Sequence, residues 1–111
     1  MTPEQRIQAM TGKQYMAQVA RLSCLLCRLR GIDGTPAEVH HARKHGGLRS
    51  NTHKDTIPAC PHHHRTGPDS LHRARALVER NYGMTEEQMA EQTRKDVAAL
   101  LACDVRFERA A

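Results

Sequence analysis

The chain has 111 residues and a mass of 12.5 kDa, enough for one small domain spanning 1–111. Leu, Ile, Val and Phe together number 18 and Trp is absent, a thin supply of core side chains that the 4 Cys and 8 His can compensate with a metal staple. Lys and Arg outnumber Asp and Glu by 17 to 12, which favours a polyanionic partner, while no apolar run is long enough for a bilayer and Met1 to Ala20 lack the pattern of a signal peptide, so neither membrane insertion nor secretion is expected.

Thr2-Pro3-Glu4-Gln5 opens a short helical stretch with an apolar face of only Ile7 and Met10, so its first turn is expected to fray. Thr11-Gly12-Lys13-Gln14 has the form of a capping box, and Tyr15, Val19 and Leu22 follow at helical spacing, predicting a helix from about Gly12 to Leu22. Two extended pieces, Ala37 to Ala42 and Asp55 to Ala59, flank a Gly- and Lys/Arg-rich segment and read as a β-hairpin with a long loop. Leu71, Ala74, Leu77 and Val78 recur with period 3.6 up to Gly83, a helix-stop residue. Thr85-Glu86-Glu87-Gln88 caps a last helix that presents Met89, Thr93, Val97, Leu100 and Leu101 to the core, with Met84 stapled on Met89. The layout is an N-terminal helical segment over 1–23, a knuckle-and-hairpin region over 24–72 and C-terminal helices over 73–111.

Cys24-Leu25-Leu26-Cys27 and Cys60-Pro61-His62-His63 are two pairs of equal spacing. Each pair can span one edge of a tetrahedron while its turn points amides at the thiolates, so Cys24, Cys27, Cys60 and His63 are the expected ligands of a structural Zn2+. The competing reading treats Cys24 and Cys27 as small buried hydrophobes, and a redox reading lacks the βαβ context it needs. Cys103, without a neighbour in sequence, is expected to be a partly buried thiol.

The histidines cluster at element ends. His40 and His41 close the first extended piece, where adjacent side chains point to opposite faces, and His62, His63 and His64 follow the second. One residue of such a pair can hold a cation while its neighbour serves as a neutral base, the division of labour that hydrolytic metal sites require.

His40-His41, Gly46-Gly47 and the run from Asp55 through Ile57-Pro58-Ala59-Cys60 to His62-His63-His64 together resemble the HNH, or ββα-metal, endonuclease motif, and most nearly the phage recombination-enhancement, RecA-dependent nucleases, over about Cys24 to His72. The resemblance implies an α+β fold with a small ββα-metal core, a structural zinc knuckle site and flanking helices. It implies His40 as the ligand that opens the motif, His41 as general base, Asp55 as the residue that fixes the loop and orients the base, His63 as the last structural zinc ligand and His64 as a ligand of the catalytic cation. His72 is the candidate for the final ligand, with His62, His45 and His53 as alternatives. The cation implied is Mg2+ or Mn2+, with Zn2+ or Ni2+ as further candidates, and no small-molecule cofactor is expected. Two departures stand out: residues 66–70 interrupt what would be a continuous metal-bearing helix, and only 23 residues precede Cys24 where RecA-dependent members carry a longer basic arm.

The expected activity is metal-dependent hydrolysis of DNA phosphodiester bonds in phage or prophage recombination, in the cytoplasm of a bacterial host, with RecA or another recombination protein as a candidate partner. Arg43, Lys44, Arg49, Lys54, Arg65 and Arg73, with Arg75 beside them, are candidate phosphate contacts. Tyr15, Tyr82 and Phe107 are the only aromatics, so little base stacking and weak sequence specificity are expected. The alternative is a noncatalytic, zinc-stapled DNA-binding accessory of recombination, which would have no use for His41 beside a ligand.

Overall fold

A computed structural model describes residues 1–43 and 53–110, apart from the side chains of 106–110. The order is α1 (Pro3–Ala9), α2 (Gly12–Val19), α3 (Leu25–Leu29), β1 (Glu38–His41), β2 (Thr56–Ala59), a π-helical turn (His62–Thr66), α4 (Arg75–Tyr82) and α5 (Glu86–Ala110). Among the described residues, no helix is long and apolar enough to cross a membrane.

The capping signals hold at both N-terminal helices. In α1 and α2 the Thr2 and Thr11 hydroxyls accept from the amides of Gln5 and Gln14, whose side chains return the bond. The first helix therefore has a complete cap where a frayed turn was expected, and its Ile7 is buried together with Tyr15, Val19, Val97 and Leu101 in a cluster between α1, α2 and α5. The second ends at Val19, three residues short of the expected Leu22, as the chain turns toward Cys24. Spacing gave no sign of α3: Cys24 is its N-cap, with Sγ accepting from the Cys27 amide at 3.5 Å, so the knuckle itself starts a helical turn.

Strands β1 and β2 pair antiparallel, with Glu38 opposite Ala59, His40 opposite Ile57 and His41 opposite Thr56. The expected long loop falls largely on residues 44–52, outside the described residues, as do Lys44, His45 and Arg49. Strand β2 is buried throughout, against α3 and α5, and a second core cluster joins Leu25, Leu26, Ile57, Leu71, Val78 and Met89 to the cysteines.

After β2 the expected ββα order gives a π-helical turn rather than an α-helix. The chain then doubles back, with the amides of Leu71 and His72 bonded to the carbonyls of His63 and His64 at 2.8 and 3.0 Å. Gly67 makes this return possible. A Cβ there would lie 2.7 Å from the His62 carbonyl oxygen. Helix α4 consequently starts at Arg75, Leu71 packs in the core from the turn, and Leu77 is exposed. Gly83 ends α4 at φ 66°, and Thr85 and Gln88 form the capping box that opens α5. On α5, Met89, Thr93, Val97 and Leu101 are buried, Leu100 is half-buried, and Cys103 is exposed rather than partly buried because it falls on the outer face.

Gly67→Ala should destabilise the fold by about 1–3 kcal/mol, because the added methyl meets backbone that cannot yield without opening the turn. Chemical denaturation measures this, and an unchanged midpoint would contradict the packing described.

Candidate metal centres

Two clusters of ligand-type side chains meet at the π-helical turn. Cys24, Cys27, Cys60 and His63 form one, all buried, and His40, His64 and His72 form the other, with the ligand atoms of each group within 4.8 Å of one another. Cys24 and Cys27 come from the two ends of the first turn of α3, Cys60 follows β2, and His63 sits in the π turn.

The dimensions of the first cluster suit zinc. Tetrahedral bonds of about 2.3 Å to sulfur and about 2.05 Å to nitrogen require ligand edges of about 3.8 Å for S···S and about 3.6 Å for S···N. Here the Sγ atoms of Cys27 and Cys60 are 4.0 Å apart, and His63 Nδ1 lies 3.6, 3.5 and 3.3 Å from the sulfurs of Cys24, Cys27 and Cys60. Burial pushes the Cys24 thiol up to about 11, since a lone thiolate there lacks compensation, and burial with His62 alongside shifts His63 downward from the usual histidine value, the direction that favours the neutral ring a metal needs. A divalent cation reverses the penalty on the thiolates, so this group could hold a structural metal such as zinc. The Tyr82 ring stacks edge-on against His63, and the Arg30 guanidinium lies 5.2 Å from the centre of the Tyr82 ring, closing the outer side.

In the second cluster the ring centres of His40, His64 and His72 lie 4.5–5.3 Å apart. The backbone return after Gly67 brings His72 to His64 across the interruption in the sequence. His40 is buried, His64 half-buried and His72 exposed, so the group opens to solvent on one side. Together with His41, Arg43 and Val39 these three line a cavity of about 200 Å³. His64 Nδ1 bonds Glu38 at 2.9 Å, and the same carboxylate takes Arg65 through two bonds of 3.0 Å. Arg65 first and His64 second hold Glu38 down to about 2.

The remaining candidates fall into place unevenly. His41, one residue beyond His40 and half-buried, has Nε2 3.0 Å from His53 Nδ1. Asp55 bonds Arg94 of α5 at 2.9 Å, and its carbonyl accepts from the Ala42 amide, anchoring the strand end next to His41. It lines a larger cavity of about 450 Å³ whose Glu87 and Glu91 give it an acidic lining unsuited to a phosphodiester. His62 is exposed, 3.4 Å from Asp69, and the His62, His63 and Asp69 group shares its histidine with the cysteine cluster. Of the expected phosphate contacts, Arg43 lines the histidine cavity and Arg73 is exposed. Arg65 is engaged by Glu38, Lys54 reaches the Gln8 carbonyl at 3.1 Å, and Arg75 faces Glu79 and Glu86.

Sequence reasoning passed over Glu38, Glu86, Arg94 and the His41–His53 contact. Strand alternation could have found Glu38, which lies two residues before His40 on the same face. Glu86 read as an ordinary first-turn acid, and no local pattern marks it as buried against His40.

The family model described as "Recombination enhancement, RecA-dependent nuclease" matches residues 9–103, most of the chain. No curated protein and no solved structure matches it.

Cys24→Ser should remove about one zinc per chain and with it much of the helical circular dichroism, because α3, β2 and the π turn meet at that cluster. Metal analysis alongside circular dichroism checks both, and a fully folded, zinc-free variant would refute the assignment.

Proposed function

The chain belongs to the recombination-enhancement, RecA-dependent nuclease family, and from that premise we propose that it is a metal-dependent endonuclease of the HNH type. It hydrolyses DNA phosphodiester bonds with low sequence specificity. The observation that carries the reading is the convergence of His40, His64 and His72 beside His41 in one cavity open to solvent. In this reading Cys24, Cys27, Cys60 and His63 hold a structural zinc that sets the turn, and the three histidines hold one divalent cation, Mg2+ or Mn2+, with Zn2+ or Ni2+ as alternatives. That cation, when bound, supplies Lewis-acid stabilisation of charge on the phosphorane and on the leaving 3′ oxygen.

The chain's own groups do the rest. His41 accepts the proton of the attacking water, and its 3.0 Å contact with His53 fixes the ring and offers a second imidazole across which the charge can spread. Asp55, clamped by Arg94, holds the start of β2 and, through the Ala42 amide on its carbonyl, the end of β1 that carries His41, without touching the cation. Arg43 at the rim and the exposed Arg73 contact the DNA backbone, with Lys44, Arg49, Lys54 and Arg65 as further candidates around them. Tyr15 is sealed in the core and cannot stack on a base, in keeping with weak sequence preference. DNA in a recombination intermediate is the substrate and RecA the partner that the family description points to.

Supercoiled plasmid should be nicked in the presence of Mg2+ or Mn2+, and EDTA should stop the reaction. His41→Ala should lower nicking about 10²-fold or more while DNA affinity, zinc content and fold stay near wild type, because a general base acts in the transition state rather than in ground-state binding. Wild-type turnover in His41→Ala across pH 6 to 8 would overturn the mechanism. DNA binding without nicking under any of these metals would favour the noncatalytic module.

A further inference from the structure

The two ring nitrogens of His40 have opposite surroundings. Nε2 lies 2.6 Å from Glu86 Oε1, whereas Nδ1 is buried with no hydrogen-bond partner among the described residues. Glu86 is itself fully buried and arrives from the first turn of α5, 46 residues along the chain. Its Oε1 also accepts the Arg43 amide at 3.1 Å, Arg75 Nε lies 3.2 Å from its Oε2, and its own amide is held by Glu79 at 2.7 Å. A buried carboxylate placed so elaborately against one nitrogen of a buried imidazole needs an explanation beyond packing, since both groups lose hydration to be there.

An ionised carboxylate only accepts hydrogen bonds. The nitrogen facing Glu86 therefore carries the ring proton, and Nδ1 keeps a free lone pair turned away from Glu86. We propose that Glu86 is a positioning residue for the cation: it fixes the ring of His40 in the orientation and tautomer that present Nδ1 to the His40, His64 and His72 group. This rests on the reading of the three histidines as a cation site. Glu38 stands in the same relation to His64 from the other side, bonding Nδ1 and leaving Nε2. Each carboxylate also has an arginine beside it, but the two are unequal, because the Glu38 side chain is 36% exposed while Glu86 acts on His40 from a site closed to water. A carboxylate hydrogen-bonded to the far nitrogen of a ligating histidine is the usual device for fixing both ring orientation and ligand strength.

The test uses the full chain carrying one zinc. Histidine-ring 15N correlation spectra should show His40 protonated at Nε2 before any second metal is added. Titration of the same protein with Co2+, followed by calorimetry, should show a second equivalent bound by wild type and weakened about 10- to 100-fold in Glu86→Gln, with one zinc per chain and the helical circular dichroism unchanged. A wild-type spectrum with the proton on Nδ1 overturns the proposal, and so does a folded Glu86→Gln that binds Co2+ like wild type. If Glu86→Gln does not fold, the wild-type spectrum decides. His40→Ala separates the two levels: loss of the second Co2+ supports the histidine site whatever Glu86→Gln does, whereas undiminished binding overturns that site and the role of Glu86 together.

Discussion

Three thiols and one imidazole gather at a single point, and the rest of the molecule is arranged by that convergence. Cys24 and Cys27 bring α3, while Cys60, just after β2, and His63 of the π turn come from a second region 33 residues on, so two stretches distant in sequence share one vertex. With Leu, Ile, Val and Phe together numbering 18 in 111 residues, apolar burial alone offers a small driving force, and the apolar side chains of the main core lie around the cysteines rather than apart from them. Metal binding at such a vertex is folding free energy, because the site does not exist in the unfolded chain.

The second cluster is a geometric consequence of the first. His63 and His64 are neighbours in the π turn, and fixing His63 against the sulfurs turns His64 toward His40. The return after Gly67 then ties His72 to His64 through backbone, with the Gly67 amide on His62 and the His72 amide on His64. A rigid, buried group thus holds a more open one at a distance of a single residue. That separation suits two different tasks: the closed cluster has no face for a substrate, whereas the open one borders a cavity that also contains His41 and Arg43.

Charge is distributed to the same end. The chain is basic overall, yet the carboxylates nearest the histidines, Glu38 and Glu86, sit behind the rings and are each paired with an arginine, Arg65 and Arg75. Glu38 and Glu86 are not among the residues that line the cavity, where negative charge would repel a phosphate, and from behind the imidazoles they would strengthen His64 and His40 as ligands if the proposed cation binds there. Two arginines that in sequence look like DNA contacts are thereby committed to internal partners.

Local signals in the sequence determined much of this. Capping boxes at Thr2, Thr11 and Thr85, the αL stop at Gly83 and the matched Cys-x-x-Cys and Cys-x-x-His spacings each depend on residues within a turn of one another, and each was legible for that reason; the two extended segments were legible from their own composition and the turn-rich stretch between them. The resemblance to a nuclease motif grouped His40, His64 and His72, and the fold brings all three together. Tertiary structure alone decided the burial of α1, which rests on a helix some ninety residues away, the π turn that replaces an expected α-helix, and the exposure of Leu77 and Cys103. It alone placed Arg94 on Asp55, His53 on His41 and Glu86 on His40. The physical reason is the same in each case: a capping or knuckle signal is satisfied by neighbours in the chain, whereas the partner of a buried charge or an imidazole nitrogen is whatever distant element the fold packs against it.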